Sequence, residues 1–216
     1  MLPDSVEYIE NGAFRGSRFE SVRLPAGLKH LGKEAFLGCD KLRSISIPPS
    51  VRLVMNETFR DCSELRSVEL SPDTTFIGDM AFYYCIRLNQ INLGRSLVSI
   101  GASAFEECLS LKEVQIPGTT RAICTRAFYR AGLKNVRIPM SVVSVGVWAF
   151  RCNFLNNAYV YPQTRIHNSA FYPNTKVTVL SDMPKEEGGG VLGRLKKLFR
   201  QMGHVRGAIG EGGALP

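Results

Sequence analysis

The side chains able to do chemistry are six cysteines, three histidines and a basic run near the C-terminus. Cys39, Cys62, Cys85 and Cys108 are separated by 23 residues each time. Equal spacing of that length sets them one above another along a stack. Adjacent rungs would lie about 5 Å apart, which disulfide geometry allows. A tetrahedral zinc site needs ligands converging on one point, whereas this ladder spreads its four thiols over about 15 Å. The matching slots elsewhere hold Ser17 and Ala131, which favours buried thiols packing as small apolar groups over a disulfide chain. Cys124 and Cys152 have no mate in register. His30, His167 and His204 fall in a turn, a repeat corner and the tail, with no HExxH, Cys–His ligand pair or GxSxG. EEGGGVLGRLKK lacks the strand and the Gly-Lys-Ser/Thr of a phosphate loop. The expectation is a protein that is not an enzyme and carries no metal or cofactor.

The element that positions these residues is a repeat. Ala-Phe recurs with its phenylalanine at 14, 36, 82, 105, 128, 150 and 171, and Thr58-Phe59 fills the one gap. The steps between phenylalanines are 21 to 23 residues. Five residues before each Phe stands an aliphatic, and four before it Gly is commonest, as at Gly32, Gly78, Gly101 and Gly146. The aligned unit reads LxxIxIPxSVxxIGxxAFxxC. Its Ile-x-Ile alternates with period two, as a short half-buried strand does, and Pro ends that strand because it has no amide to extend a ladder. The glycine predicts a tight corner. Ala-Phe-x-x-Cys suits one helical turn, with Phe filling the layer. A unit this short cannot bury its own apolar residues, so neighbours must stack on it. The fold class is a repeat solenoid of about eight 21–23-residue units. A parallel β-sheet forms one face, and short strands or helical turns form the other.

This joint SV-x-x-IG-x-x-AF-x-x-C pattern resembles the BspA-like, or Treponema-type, leucine-rich repeat over residues 2 to 180. The resemblance implies a right-handed solenoid that binds proteins, often in surface adhesion, without enzymatic activity. Residues 1–180 are expected to form the solenoid, with units seven and eight as its C-terminal cap. Residues 181–216 are a glycine-rich tail.

Within the strands, residues flanking the middle aliphatic point away from the core. They form a row of Ser44 and Ser46, Ser67 and Glu69, Gln90 and Asn92, Glu113 and Gln115, Asn135 and Arg137, preceded by Ser21 and Arg23. The row is polar and mixed in charge. It is either a solvated face or a protein-recognition surface, and its lack of aromatics and of a cationic stripe disfavours nucleic acid. The excess positive charge is expected in turns of the first three coils, at Arg15, Arg18, Lys29, Lys33, Lys41, Arg43, Arg60 and Arg66, as a spread rather than a track.

In the tail, residues 191–202 (VLGRLKKLFRQM) set Val191, Leu192, Leu195, Leu198, Phe199 and Met202 on one helical face and Arg194, Lys196, Lys197 and Arg200 on the other. That pattern reads either as a cap or unstructured tail, or as a weak membrane-surface contact. No signal peptide or membrane-spanning run is present, which as written places the chain in the cytoplasm; a longer N-terminus would allow the cell surface. The leading expectation is a monomeric, non-enzymatic scaffold for a protein ligand of adhesin or surface-antigen type. The alternative is a peripheral membrane scaffold held by 191–202.

Overall fold

The computed structural model describes residues 2–181. In chain order the strands are β1 (Tyr8–Ile9), β2 (His30–Leu31), β3 (Ser44–Ser46), β4 (Leu53–Val54), β5 (Ser67–Glu69), β6 (Phe76–Ile77) and β7 (Gln90–Asn92). They continue with β8 (Ser99–Ile100), β9 (Ala122–Ile123), β10 (Asn135–Arg137), β11 (Ser144–Val145), β12 (Asn157–Val160), β13 (Arg165–Ile166) and β14 (Lys176–Val179). The paired strands all run parallel, each to the same segment one coil away. This is the stacked solenoid that the 23-residue period requires.

The Leu-x-x-Ile-x-Ile segments give two three-stranded sheets, β3-β5-β7 and β10-β12-β14. A longer sheet comes from the residue pair ahead of the glycine, in the order β13-β11-β9-β8-β6-β4. Each of those two-residue strands turns one side chain inward, as β4 buries Val54 and exposes Leu53. The expected Ile-x-Ile sheet is interrupted at 111–117, which form no strand. The gap adjoins the place where the unit contracts: Phe128 to Leu133 is five residues, against six from Phe105 to Leu111. There a Cβ on Gly132 would sit 2.1 Å from the Leu109 carbonyl oxygen.

The Ala-Phe-x-x-Cys segment is not a helical turn, and no helix occurs among the described residues. It is an arc in which alternate amides serve two ladders. Ala81, Tyr83 and Cys85 donate within the coil, to the carbonyls of Gly78, Met80 and Phe82. Met80, Phe82 and Tyr84 donate to the next coil, at Ala102, Ala104 and Glu106, over 2.8–2.9 Å. The arc reaches across because left-handed residues flank the Phe: Met80 has φ +54° and Tyr84 +58°. Glu34 and Gly38, Glu57 and Asp61, Ser103 and Glu107, and Arg126 and Arg130 repeat the arrangement. A left-handed residue ends any right-handed helical run and costs about 1–2 kcal/mol when it is not glycine. The inter-coil bonds, which a helix would forgo, offset that strain.

The repeat's own glycine has a different task from the corner first assigned to it. Gly78 and Gly101 have ordinary φ, but a Cβ there would meet backbone of the preceding coil at 2.6 Å. Glycine is placed there for close approach. The coils then stack at the spacing their rings require. Phe36, Phe59, Phe82, Phe105, Phe128 and Phe150 are fully buried, with centroids 5.0–5.5 Å apart and planes within 9° of parallel. Phe14 and Phe171 extend the column at 5.3 and 5.7 Å.

Removing a rung should leave a cavity spanning three coils. Phe82→Ala or Phe105→Ala is expected to cost about 3–5 kcal/mol in chemical denaturation. A loss below about 1 kcal/mol would mean that the column carries little of the stability.

Candidate functional site

Burial decides the chemistry of the thiol ladder. Cys39, Cys62, Cys85, Cys108 and Cys152 are buried, and all six cysteines are free thiols. Each buried Sγ donates to the carbonyl of the preceding coil's phenylalanine: Cys39 to Phe14, Cys62 to Phe36, Cys85 to Phe59, Cys108 to Phe82 and Cys152 to Phe128, over 2.9–3.2 Å. The thiol is therefore both apolar filler and an inter-coil tie. Desolvation pushes these groups away from ionisation, Cys39 up to about 11 and Cys152 up to about 12, with Cys62, Cys85 and Cys108 also raised. Such thiols are poor nucleophiles and poor metal ligands at neutral pH. Of the histidines, His30 lies in β2, and His167 Nδ1 is 2.9 Å from Ser169 Oγ. His204 lies outside the described residues. No group of three or more His, Cys, Asp or Glu side chains is placed to hold a metal among the described residues.

The polar row on the Ile-x-Ile face is divided by the gap at 111–117. Strands β3, β5 and β7 bring together Ser44, Ser46, Ser67, Glu69, Gln90 and Asn92, in the register Ser44–Ser67–Gln90 and Ser46–Glu69–Asn92. They line an open depression of about 620 Å³ with Glu113 at its edge, while Ile45, Val68 and Ile91 lie between the polar columns. Ser46 Oγ donates to Glu69 at 2.9 Å, which fixes that carboxylate against the sheet. Asn89, one residue ahead of β7, also lines the depression; the strand pattern alone leaves it out.

Gln115 is exposed on the strandless segment and outside the depression. Asn135 and Arg137 belong to the second patch, on β10. Asn135 Oδ1 accepts from Asn157 at 2.8 Å, and Arg137 donates to the Tyr161 hydroxyl at 2.9 Å. The earlier pair, Ser21 and Arg23, keeps only an isolated bridge from Ser21 to Ser44. Arg194, Lys196, Lys197 and Arg200, with the whole 191–202 segment, lie outside the described residues.

The excess positive charge does not reside in the first three coils, contrary to the expectation from sequence. Six of those eight cations are ion-paired, among them Arg15 with Glu34, Lys29 with Glu7, Arg43 with Glu20 and Arg60 with Glu57, at 2.7–3.3 Å. Lys41 and Arg66 have longer contacts to Asp40 and Glu64. Residues 1–113 hold 13 Lys and Arg against 15 Asp and Glu, whereas 114–180 hold eight and none. The uncompensated charge therefore belongs to the C-terminal coils.

Coils tied by two parallel ladders, with a Phe column inside and a Leu-x-x-Ile-x-Ile sheet at the surface, define a leucine-rich-repeat solenoid. The BspA type leucine rich repeat region matches residues 1–97 and 75–184 in six copies, and the chain belongs to that family. Among solved structures it is similar to a leucine-rich repeat protein of Treponema pallidum. The identity is 32% and the TM-score 0.64, over 70% of this chain and 72% of that one. A leucine-rich repeat protein from Bacteroides ovatus shares the fold at 20% identity and a TM-score of 0.54, over 84% and 71%. The pneumococcal vaccine antigen PcpA shares it at 21% identity and a TM-score of 0.55, over 82% of this chain and 55% of that one. Among curated proteins, none matches this chain.

The thiols generate a prediction with a definite sign. Their folded-state pKa values lie above those of unfolded cysteine, so the native state holds its protons more tightly. The stability they contribute is fully present below about pH 9 and is lost as pH rises toward the folded values. Unfolding midpoints should hold steady near neutrality and fall above about pH 9, and a Cys85→Ser/Cys108→Ser variant should fall less steeply. Equal alkaline slopes in the two proteins would show that the ladder does not titrate.

Proposed function

We propose that this protein is a non-enzymatic, monomeric scaffold that recognises a protein ligand through the depression on β3-β5-β7. The observation that carries the proposal is the hollow itself. Ser44, Ser46 and Ser67 contribute small side chains to its lining, and Glu69, Gln90 and Asn92 contribute longer polar ones. Side-chain amides offer both donors and acceptors, which suits the backbone and polar side chains of a protein loop. The short strands hold these groups on a sheet whose inward residues Ile45 and Val68 are buried and Ile91 half-buried, so little conformational entropy is lost on binding. Family membership supports a repeat scaffold, and the similarity to the pneumococcal vaccine antigen PcpA supports an adhesin-like or surface-antigen role.

The test is surface plasmon resonance of the full chain against a panel of purified matrix and serum glycoproteins. The variant Ser67→Arg/Gln90→Arg/Asn92→Arg, which changes only solvent-facing positions, is run beside it. A ligand whose affinity falls at least about tenfold in the variant, at an unchanged melting temperature, is the expected result. Equal binding by both proteins would remove the depression as the site.

A second reading rests on the sequence of 191–202, whose apolar and basic faces suit an anionic membrane surface. It expects the full chain to sediment with phosphatidylserine vesicles and an Arg194→Glu/Lys197→Glu variant to remain in solution. Failure of the unaltered chain to sediment would dispose of this reading.

A further inference from the structure

The outer surface of the arcs in the C-terminal coils carries a cluster that neither reading uses. Arg126 lies 4.7 Å from the centre of the Trp148 ring and 5.6 Å from that of Tyr129. Arg151 lies 5.4 Å from Trp148 and 4.8 Å from Tyr172, and Arg130 lies 5.8 Å from Tyr129. Tyr129 and Trp148 stack on each other at 5.8 Å. The arrangement follows from the repeat: Tyr129, Arg151 and Tyr172 each come one residue after the column Phe, while Arg126 and Trp148 come two before it. Successive coils therefore bring them together on one outward face.

Three features set this face apart. It lies within the 114–180 stretch that has eight Lys and Arg and no Asp or Glu. Arg130 pairs with Glu107 of the preceding coil at 2.6 Å, but Arg126 and Arg151 have no ion-pair partner among the described residues. Trp148, the only tryptophan in the chain, fills the left-handed arc position that other coils give to Glu34, Glu57, Met80, Ser103 and Arg126, and so brings a large aromatic ring to this face.

We propose that this cluster is a docking surface for an acidic protein segment, whose Asp and Glu carboxylates seat on the guanidiniums of Arg126 and Arg151. Stacking of a guanidinium over a ring restricts its orientation and leaves N–H groups at its edge for a bidentate carboxylate contact. The same stacking explains the choice of partner. Nucleobases and pyranose rings need an open aromatic face, and here the faces of Trp148 and Tyr129 are already taken by arginine and by each other. Carboxylates need only the edges. The surface shares no residue with the β3-β5-β7 depression, so either site can fail without the other.

Trp148 reports on the site directly. Titrating the full chain with a short all-glutamate peptide should shift its tryptophan emission, with an affinity that weakens as salt is raised. Arg126→Glu/Arg151→Glu should weaken binding at least about tenfold, and Arg126→Lys/Arg151→Lys should fall between, because it keeps the charge but loses the fork. The control Arg18→Glu/Arg23→Glu, in the first coil, should bind as the unaltered chain does. Each variant carries the same tail, so binding there cancels, and circular dichroism verifies folding. Equal affinity in the Arg126→Glu/Arg151→Glu variant would overturn the proposal. So would tight binding of heparin or single-stranded DNA at physiological salt with none of the glutamate peptide.

Discussion

The structure depends on one constraint: a coil of about 23 residues encloses too little space to bury its own phenylalanine, so every ring must be covered by the coils on either side. Full burial of such a ring is worth about 1.5–3 kcal/mol, and an offset stack adds roughly 0.5–1.5 kcal/mol. Those gains require adjacent backbones to approach to the ring spacing. Gly78 and Gly101 permit it by omitting a Cβ that would strike the preceding coil. The left-handed residues flanking each Phe permit it by turning alternate amides toward the neighbouring coil. The thiols complete it by donating to the Phe carbonyl one coil back. Ring, glycine, strained turn and thiol are four parts of one contact.

A solenoid built this way separates stability from recognition by position within the unit. Inward columns are fixed in type because each residue touches its own copies above and below. Outward columns meet only solvent and their immediate neighbours, so they vary coil by coil without disturbing the stack. The polar hollow on β3-β5-β7 and the arginine–aromatic cluster of the later coils are two such columns, with different chemistry on the same scaffold. The charge segregation follows the same logic, since changing an outward Glu to Arg leaves the interior untouched. That freedom is why membership in the family describes the scaffold while the ligand must be argued from the surface.

Much of the inward pattern was legible in the sequence. The equal spacing of Phe36, Phe59, Phe82 and Phe105 dictates a column, and the replacement of Cys by Ser17 and Ala131 identified a packing slot. The alternation at Ser44-Ile45-Ser46 marked which residues turn inward and which outward. The arcs were not legible. Left-handed positions are recognised by glycine, and here Glu34, Glu57, Met80 and Trp148 occupy them, so Ala-Phe-x-x-Cys read as a helical turn. The second ladder was legible only as short strands or helical turns, because strands of two residues, such as Phe76–Ile77, are too short to show alternation. The interruption at 111–117 adjoins a single-residue contraction in the next unit, which a steady period does not mark. The cationic surface was present in the sequence as an acid-free stretch, but it becomes a cluster only when stacking brings Arg126, Trp148 and Arg151 onto one face.

The most direct test of the account is native-state hydrogen exchange, read residue by residue. If inter-coil contact is what holds the fold, the arc amides of Phe59, Phe82 and Phe105, which donate across coils to Ala81, Ala104 and Ala127 at 2.7–2.8 Å, should be among the slowest in the protein. Protection should decline toward the end coils, where Phe14 and Phe171 are only half-buried. Rapid exchange of those central arc amides, with protection confined to the strands, would show that the sheets hold the solenoid and that the Phe column merely fills it.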